Sequence, residues 1–177
     1  MTDRSEIRVV RTSFRVEHIR IESRKSFAQV KAALAKVPKF DDEIRNMLGT
    51  GEIAEIKQGL ERIWGEAGLT IFGVATHGDW LAIIGEKRNA VQYVIGNVLI
   101  STQMTKHQLA AGLYAPLRIM LYENEAGTAT LEYDRPSDLF GQFVDERVTR
   151  VARRLDQEIY DVLISAATES NSERTLQ

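Results

Sequence analysis

Asn97, Gln103, His107 and Tyr114 are the side chains of this sequence best placed to do chemistry, and all four fall in one stretch, VQYVIGNVLISTQMTKHQLAAGLYAPLRIM (91–120). Gln103 and His107 stand four residues apart, a spacing that shares one face of a helix. Ile100 and Met104 lie near the same stripe, so that face can line a pocket. There the imidazole would serve as acid/base, ligand or polar contact. The plainer use of His107 is electrostatic: near a helix C-terminus its charged form interacts well with the helix dipole. Asn97 follows Gly96 at the end of a strand-like run and suits a helix N-cap. A helix N-terminus in that position is also suited to an anion. Tyr114 can present its hydroxyl to a ligand or cover the edge of the core.

The other candidates are scattered. His18 alternates with Phe14 and Val16 and reads as a hydrogen-bonded histidine on an apolar strand face. His77 stands in a turn-like His77-Gly78-Asp79. No H-x-x-x-H or H-x-H pair exists, so no metal site is read. Tyr133-Asp134-Arg135 places a carboxylate and a guanidinium at a strand end, where a turn-closing ion pair is the simple use. Glu123 and Glu132 are candidate cross-strand neighbours, but an exposed carboxylate pair is not by itself a general acid/base site. GVATHG lacks the glycine spacing and the Lys-Ser/Thr of a phosphate loop, and no G-x-S-x-G elbow occurs. No motif implies a cofactor.

The elements that must position these residues follow from periodicity and punctuation. SFRVEHIRI (13–21) alternates as a strand, with Phe14, Val16 and His18 on one side. Ser26 and Gln29 form a capping box, Phe27, Val30, Leu34 and Val37 continue at helical spacing, and Pro38 stops the helix. Residues 39–66 read as a helical insertion, with Asp41 or Asp42 as cap, a break at 49–51, a second helix over 52–64, and Gly65 as its end. LTIFGVAT (69–76) reads as a strand. Gly78-Asp79 suits a two-residue hairpin turn, and WLAIIG (80–85) reads as a returning central strand. The 91–120 unit follows as strand, helix, small-residue turn and strand. Leu117–Glu123 and Thr128–Tyr133 pair around Asn124–Gly127, and SDLFGQF is a loop. About Asp145–Ala166 forms a long helix with Val148, Val151, Leu155, Ile159, Val162 and Leu163 on one stripe. The fold class is therefore α+β: a two-layer sandwich of a mixed, mainly antiparallel sheet packed against helices, with a helical insertion and a long C-terminal helix. The organisation expected is a flexible arm (1–12), one domain (13–166) and a disordered tail (167–177).

Composition narrows the function class. The 177 residues suffice for one core-bearing domain. The absence of cysteine removes disulfides, thiolate metal sites and thiol nucleophiles. No apolar run approaches the roughly 18–20 residues of a membrane helix, and the polar N-terminus does not read as a signal peptide. The expectation is a soluble, cytoplasmic protein without a membrane partner. Residues 1–39 carry ten Lys/Arg against four Asp/Glu, a balance of +6 within an overall −2. That surplus fits a nucleic-acid face or a solvated strand edge and helix surface. Without interleaved aromatics the second use is favoured, and nucleic acid is not the expected partner.

YVIGNVLISTQM (93–104), then H-x-L-A-A-G-L-Y-A-P-L-R from His107, then LYENEAG-x-A-x-x-x-YDRPS from Leu121, together resemble the domain of unknown function family 302. The matching steps are Gly96-Asn97, Gly112-Leu113-Tyr114-Ala115-Pro116 and the acidic turn Glu123–Gly127, with the strand–helix unit at 13–37 as the opening element. The resemblance covers 13–135, interrupted near 39–66. It implies a compact α+β fold, often a dimer, and no established reaction, cofactor or catalytic residue. The chain departs from the common form by lacking a cysteine before Asn97, by the insertion and by the long last helix. The function expected is a small-ligand or partner-binding module acting as a homodimer. The alternative is a small-molecule enzyme or cofactor binder with its pocket at the 97–116 helix–turn, and Asn97, Gln103, His107 and Tyr114 are its candidate ligand-binding residues.

Overall fold

A computed structural model describes residues 7–40, 42–50, 52–64 and 68–168. The expected Asp41 cap, the Gly65 stop, residues 1–6 of the arm and 169–177 of the tail lie outside the described residues. Five strands form one sheet: β1 (His18–Glu22), β2 (Thr70–Ala75), β3 (Ala90–Gly96), β4 (Leu117–Glu123) and β5 (Ala129–Asp134). Their order is β1-β5-β4-β3-β2, and each neighbouring pair is antiparallel. The helices are α1 (Phe27–Leu34), α2 (Asp42–Thr50), α3 (Ile53–Ile63), α4 (His77–Leu81), α5 (Val98–Thr105), α6 (Pro136–Gly141) and α7 (Glu146–Ala167). Short 3₁₀ turns span Ala82–Ile84 and Leu109–Tyr114.

The core lies where period-2 and period-3.6 stripes meet. Val91, Tyr93 and Ile95 of β3, Leu117, Ile119 and Leu121 of β4, and Leu131 and Tyr133 of β5 all turn to one face. Val30 and Leu34 of α1 and Val148, Ala152, Leu155, Ile159 and Leu163 of α7 cover that face. The capping box of α1 is present: Ser26 Oγ accepts from Gln29 N at 3.3 Å, and Gln29 Oε1 accepts from Ser26 N at 2.9 Å. Asp145 caps α7 by accepting from Arg147 N at 3.0 Å. After Pro38 the chain runs briefly beside β2. Ile71 N donates to Pro38 O at 2.8 Å and Phe40 N donates to Ile71 O at 2.9 Å, the parallel link of the sheet.

Three expectations about elements are overturned. Ile19 and Ile21, not Phe14, Val16 and His18, form the packed face of β1, which starts only at His18. The SDLFGQF segment is largely helical, because Pro136 at the first helical position presets φ and Asp138 lies in the first turn. WLAIIG is not a strand. It forms the end of α4 and a 3₁₀ turn closed by Gly85 at φ +83°, and Ile83 and Ile84 are 84% and 73% exposed. β2 and β3 are therefore antiparallel neighbours joined by a helical excursion rather than by a tight hairpin.

Gly78 explains how that excursion sits. A Cβ there would lie 2.2 Å from the carbonyl oxygen of Arg88 and 3.2 Å from Ala90 N, so α4 presses its backbone on the chain entering β3. Backbone cannot swing aside as a side-chain tip can, so Gly78→Ala is expected to lower stability by roughly 1–3 kcal/mol, read as a lower urea midpoint. An unchanged midpoint would refute the close approach.

Candidate functional site

The junction of β3 and α5 is built by one buried amide. Asn97, 7% exposed, caps α5 through Oδ1, which accepts from Ile100 N at 3.1 Å. Its Nδ2 donates to Gly68 O at 2.7 Å, tying the chain that enters β2 to the start of α5. The preceding Gly96 lets Pro116 approach closely: a Cβ at 96 would meet Pro116 Cβ at 3.1 Å. Between these parts lies a cavity of about 230 Å³. Phe72 and Gly96 wall it from the sheet, Val98, Ile100 and Met104 from α5, Ala115, Pro116 and Leu117 from the approach to β4, and Leu155 from α7. Its polar lining is Asn97, Ser101 and Thr102, and Thr102 Oγ1 already donates to Leu99 O at 2.9 Å. No lining side chain is titratable.

The four sequence candidates are not gathered in one place. Asn97 lines this cavity; Gln103 and His107 do not. α5 ends at Thr105, and His107 N donates to Met104 O at 3.0 Å in the turn beyond it, so Gln103 and His107 do not share a helical face. Gln103 is exposed and His107 half-buried. The carboxyl of Asp145 is held down to about 2, chiefly by its pairing with Arg147, with a smaller contribution from the charge of His107. Tyr114 is packed edge-on against Phe14 and Phe140 and tilted against Phe143, at ring separations of 6.2–6.3 Å, and lines a separate groove with Leu113, Arg118 and Asp134.

The polar constellation that the sequence reading missed is on the uncovered face of the sheet. The register sets His18 opposite Asp134 and Arg20 opposite Glu132. Glu132 accepts from Tyr122 Oη at 2.7 Å, Arg20 Nε at 2.6 Å and His18 Nε2 at 3.1 Å. His18 Nδ1 lies 2.8 Å from Asp134 Oδ1. Both ring nitrogens thus face carboxylates, the arrangement of an imidazolium. Two expectations fall here. Glu132 pairs with Met120, not Glu123. Asp134 goes to His18, while Arg135 binds Asp138 through two 3.1 Å hydrogen bonds and pairs with Glu17. The signal available in the sequence was the alternation of His18-x-Arg20 and Glu132-x-Asp134 at matching spacing.

The family model described as "Domain of unknown function DUF302" matches residues 48–166. The chain belongs to the DUF302 family. The matched span opens inside α2 and closes near the end of α7. It therefore takes in α3, part of the stretch read as an interrupting insertion, and α7, and omits the 13–37 strand–helix unit that the resemblance took as its opening element. A solved crystal structure of an uncharacterized conserved DUF302 protein from Bacillus stearothermophilus is similar in fold, with a TM-score of 0.60 at 14% identity. The likeness covers 85% of this chain and 98% of that one. No curated protein matches the sequence. Among the described residues no helix of this DUF302 chain is long and apolar enough to cross a membrane, and no group of three His/Asp/Glu is placed to hold a metal ion.

The open-face cluster makes the stability of this DUF302 chain depend on pH. His18 is raised above the ordinary histidine value by its hydrogen bond to Asp134 and then by that to Glu132. Burial pushes Glu132 upward, but the hydrogen bonds from Tyr122, Arg20 and His18 outweigh it and lower its pKa. A raised histidine stabilises fully below its unfolded value and loses that effect as pH rises through the folded one. A lowered carboxylate stabilises above its unfolded value and loses that effect as pH falls through the folded one. Both effects are complete between about 4.5 and about 6.5. The urea-midpoint difference between the wild type and His18→Gln is therefore expected to be widest in that window and to narrow above it. A difference independent of pH would refute the imidazolium bridge.

Proposed function

We propose that this DUF302 chain is a small-ligand-binding module whose site is the cavity between α5 and the end of the sheet. The supporting observation is the lining: a 230 Å³ space walled by apolar groups, with hydroxyl and amide groups at a few points and no acid or base. Such a lining suits recognition of a compact apolar body with one hydrogen-bonding atom. General acid–base catalysis needs a titratable group within hydrogen-bond reach of the substrate, so binding is favoured over the enzyme alternative. Asn97 shapes the site and Ser101 is the hydroxyl offered to a ligand. Gln103, His107 and Tyr114 stay outside this reading. The surplus positive charge of residues 1–39 is partly committed internally, Arg20 to Glu132 and Lys25 Nζ to Ala166 O, which argues against a nucleic-acid face. NMR titration with indole and cyclohexanol is expected to give saturable shifts confined to 96–104 and 115–117. Val98→Trp, which fills the cavity from the first turn of α5, is expected to weaken both probes by about tenfold or more. Absence of saturable binding, or binding untouched by Val98→Trp, would overturn the assignment.

A homodimer is the second part of the reading, favoured by the contrast between the two sheet edges. β1 carries His18, Arg20 and Glu22, the charged residues that discourage edge pairing. β2, TIFGVA, carries none, and beyond the bridge at Ile71 no described strand pairs with its outer side. Val74 is half-exposed there, and Trp80, Ile83 and Ile84 are exposed in the excursion that follows. Exposed large apolar side chains gathered at one sheet edge and the excursion that follows it favour association there. Sedimentation velocity is expected to show a dimer, and Ile83→Glu with Ile84→Glu a folded monomer. A monomeric wild type would refute this arrangement.

A further inference from the structure

Ahead of β1 the chain is anchored at one end only. Phe14 packs edge-on against Tyr114, Glu17 N donates to Asp138 Oδ2 at 2.9 Å, and Glu17 pairs with Arg135. Residues 7–13, IRVVRTS, lie beyond that anchor, exposed throughout and outside any helix or strand. Ile7, Val9 and Val10 are 74%, 68% and 69% exposed. Neither Arg8 nor Arg11 forms an ion pair with a described residue. Ile7, Val9, Val10 and Thr12 are β-branched, a composition that suits a strand and not a solvated linker. The segment carries two cations and no anion.

A surface complementary to this arm lies at the other edge of the sheet. β1 and β2 are the two edges, so the arm leaves its own copy four strand spacings, roughly 19 Å, from β2. The outer side of β2 is taken at Ile71 by Pro38 and Phe40. Residues 72–75 have no such neighbour among the described residues and carry no charge. Where β2 ends, the excursion presents the exposed Trp80, Ile83 and Ile84 beside a groove of about 580 Å³. Asp79, Glu86, Glu123 and Glu125 line that groove against Lys87 and Arg88, four carboxylates to two cations, a local balance of −2. From this complementarity we infer that residues 7–13 of a second copy add to the outer side of β2, with Arg8 and Arg11 drawn to the acidic groove. The inference rests on the homodimer reading above and names what covers that edge. A strand added to an open edge is held by main-chain hydrogen bonds, and opposite charge fixes where it lands. Four residues of β2 span about 13 Å and seven of the arm about 23 Å, so the arm overhangs the strand and reaches the excursion. Under a two-fold axis the exchange is mutual, each copy giving one arm and receiving one.

The chain has no cysteine, so Val10→Cys takes a nitroxide label at one place only. Labelled Val10→Cys free of nitrogen-15 is mixed with nitrogen-15 wild type, and amide broadening then reports contact between copies alone. The amides of 72–75 and 79–86 are expected to broaden and to recover when the nitroxide is reduced. Arg8→Glu with Arg11→Glu is expected to weaken the dimer in sedimentation about tenfold or more, with a larger effect at low salt than at high. The far-ultraviolet spectrum of that variant is expected to match the wild type, since both side chains are exposed. A wild type that sediments as a monomer would overturn the homodimer reading and the arm exchange with it. A dimer whose 72–86 amides stay sharp would overturn the arm exchange alone, as would broadening centred on the exposed Leu109, Leu113 and Val144 or a dimer undisturbed by the double arginine variant.

Discussion

The side chain of Asn97 is the joint on which this end of the molecule depends. Its carbonyl oxygen satisfies one of the free N–H groups of α5, and its amide nitrogen holds Gly68 O, so one buried group fixes β3, α5 and the entry to β2 relative to one another. A helix cap alone contributes about 1 kcal/mol. Removing this one also leaves Gly68 O without its donor, and a buried polar group left unpaired costs more than the bond itself was worth. Cavity and joint are one construction. The space under α5 exists because Asn97 holds the helix start out over the sheet end while Gly96, lacking a Cβ, admits Pro116.

The sheet is covered by helices on one face, and that asymmetry governs where the polar chemistry goes. The packed face takes most of the large apolar residues, so the polar residues that alternate with them must satisfy one another on the open face. Across β1, β5 and β4 they do so by charge pairing around Glu132. Surface ion pairs contribute little one at a time, but this carboxylate takes three donors from two neighbouring strands. The effect is to hold β1, the strand with the fewest partners in the core, in register. The opposite edge has no such device, and its exposed groups are apolar.

Local signals were legible and distant ones were not. α1 announces itself through a capping box and a helical stripe, and the β4–β5 hairpin through alternation around Asn124–Gly127. Both are contained within a few turns of chain. The face of β1 is not legible locally, because a period-2 pattern fits either side. His18 takes its side from partners 114 and 116 residues away. The apolar run at 80–85 reads as a buried strand because apolarity is the usual mark of burial, whereas here Gly78 admits a helical turn against Arg88 and the isoleucines lie outside. At the site, the capping role of Asn97 is local and readable. Its second bond spans 29 residues and is not. His107 would share a face with Gln103 only in a helix that continued beyond Thr105, where α5 ends.

α7 emerges from this as more than a cover for the sheet. Its stripe from Val148 to Ala166 supplies the core, and the family region includes it. At Leu155 and Asp156 it meets two cavities of opposite character on successive residues, because neighbours on a helix point about 100° apart. One is apolar and uncharged, the other lined by Arg135, Arg153 and Asp156 beside Tyr133 and Tyr160. Asp156 also anchors the first turn of α6 through Ser137 N, so one carboxylate on the sheet-covering helix holds the α6–α7 corner together.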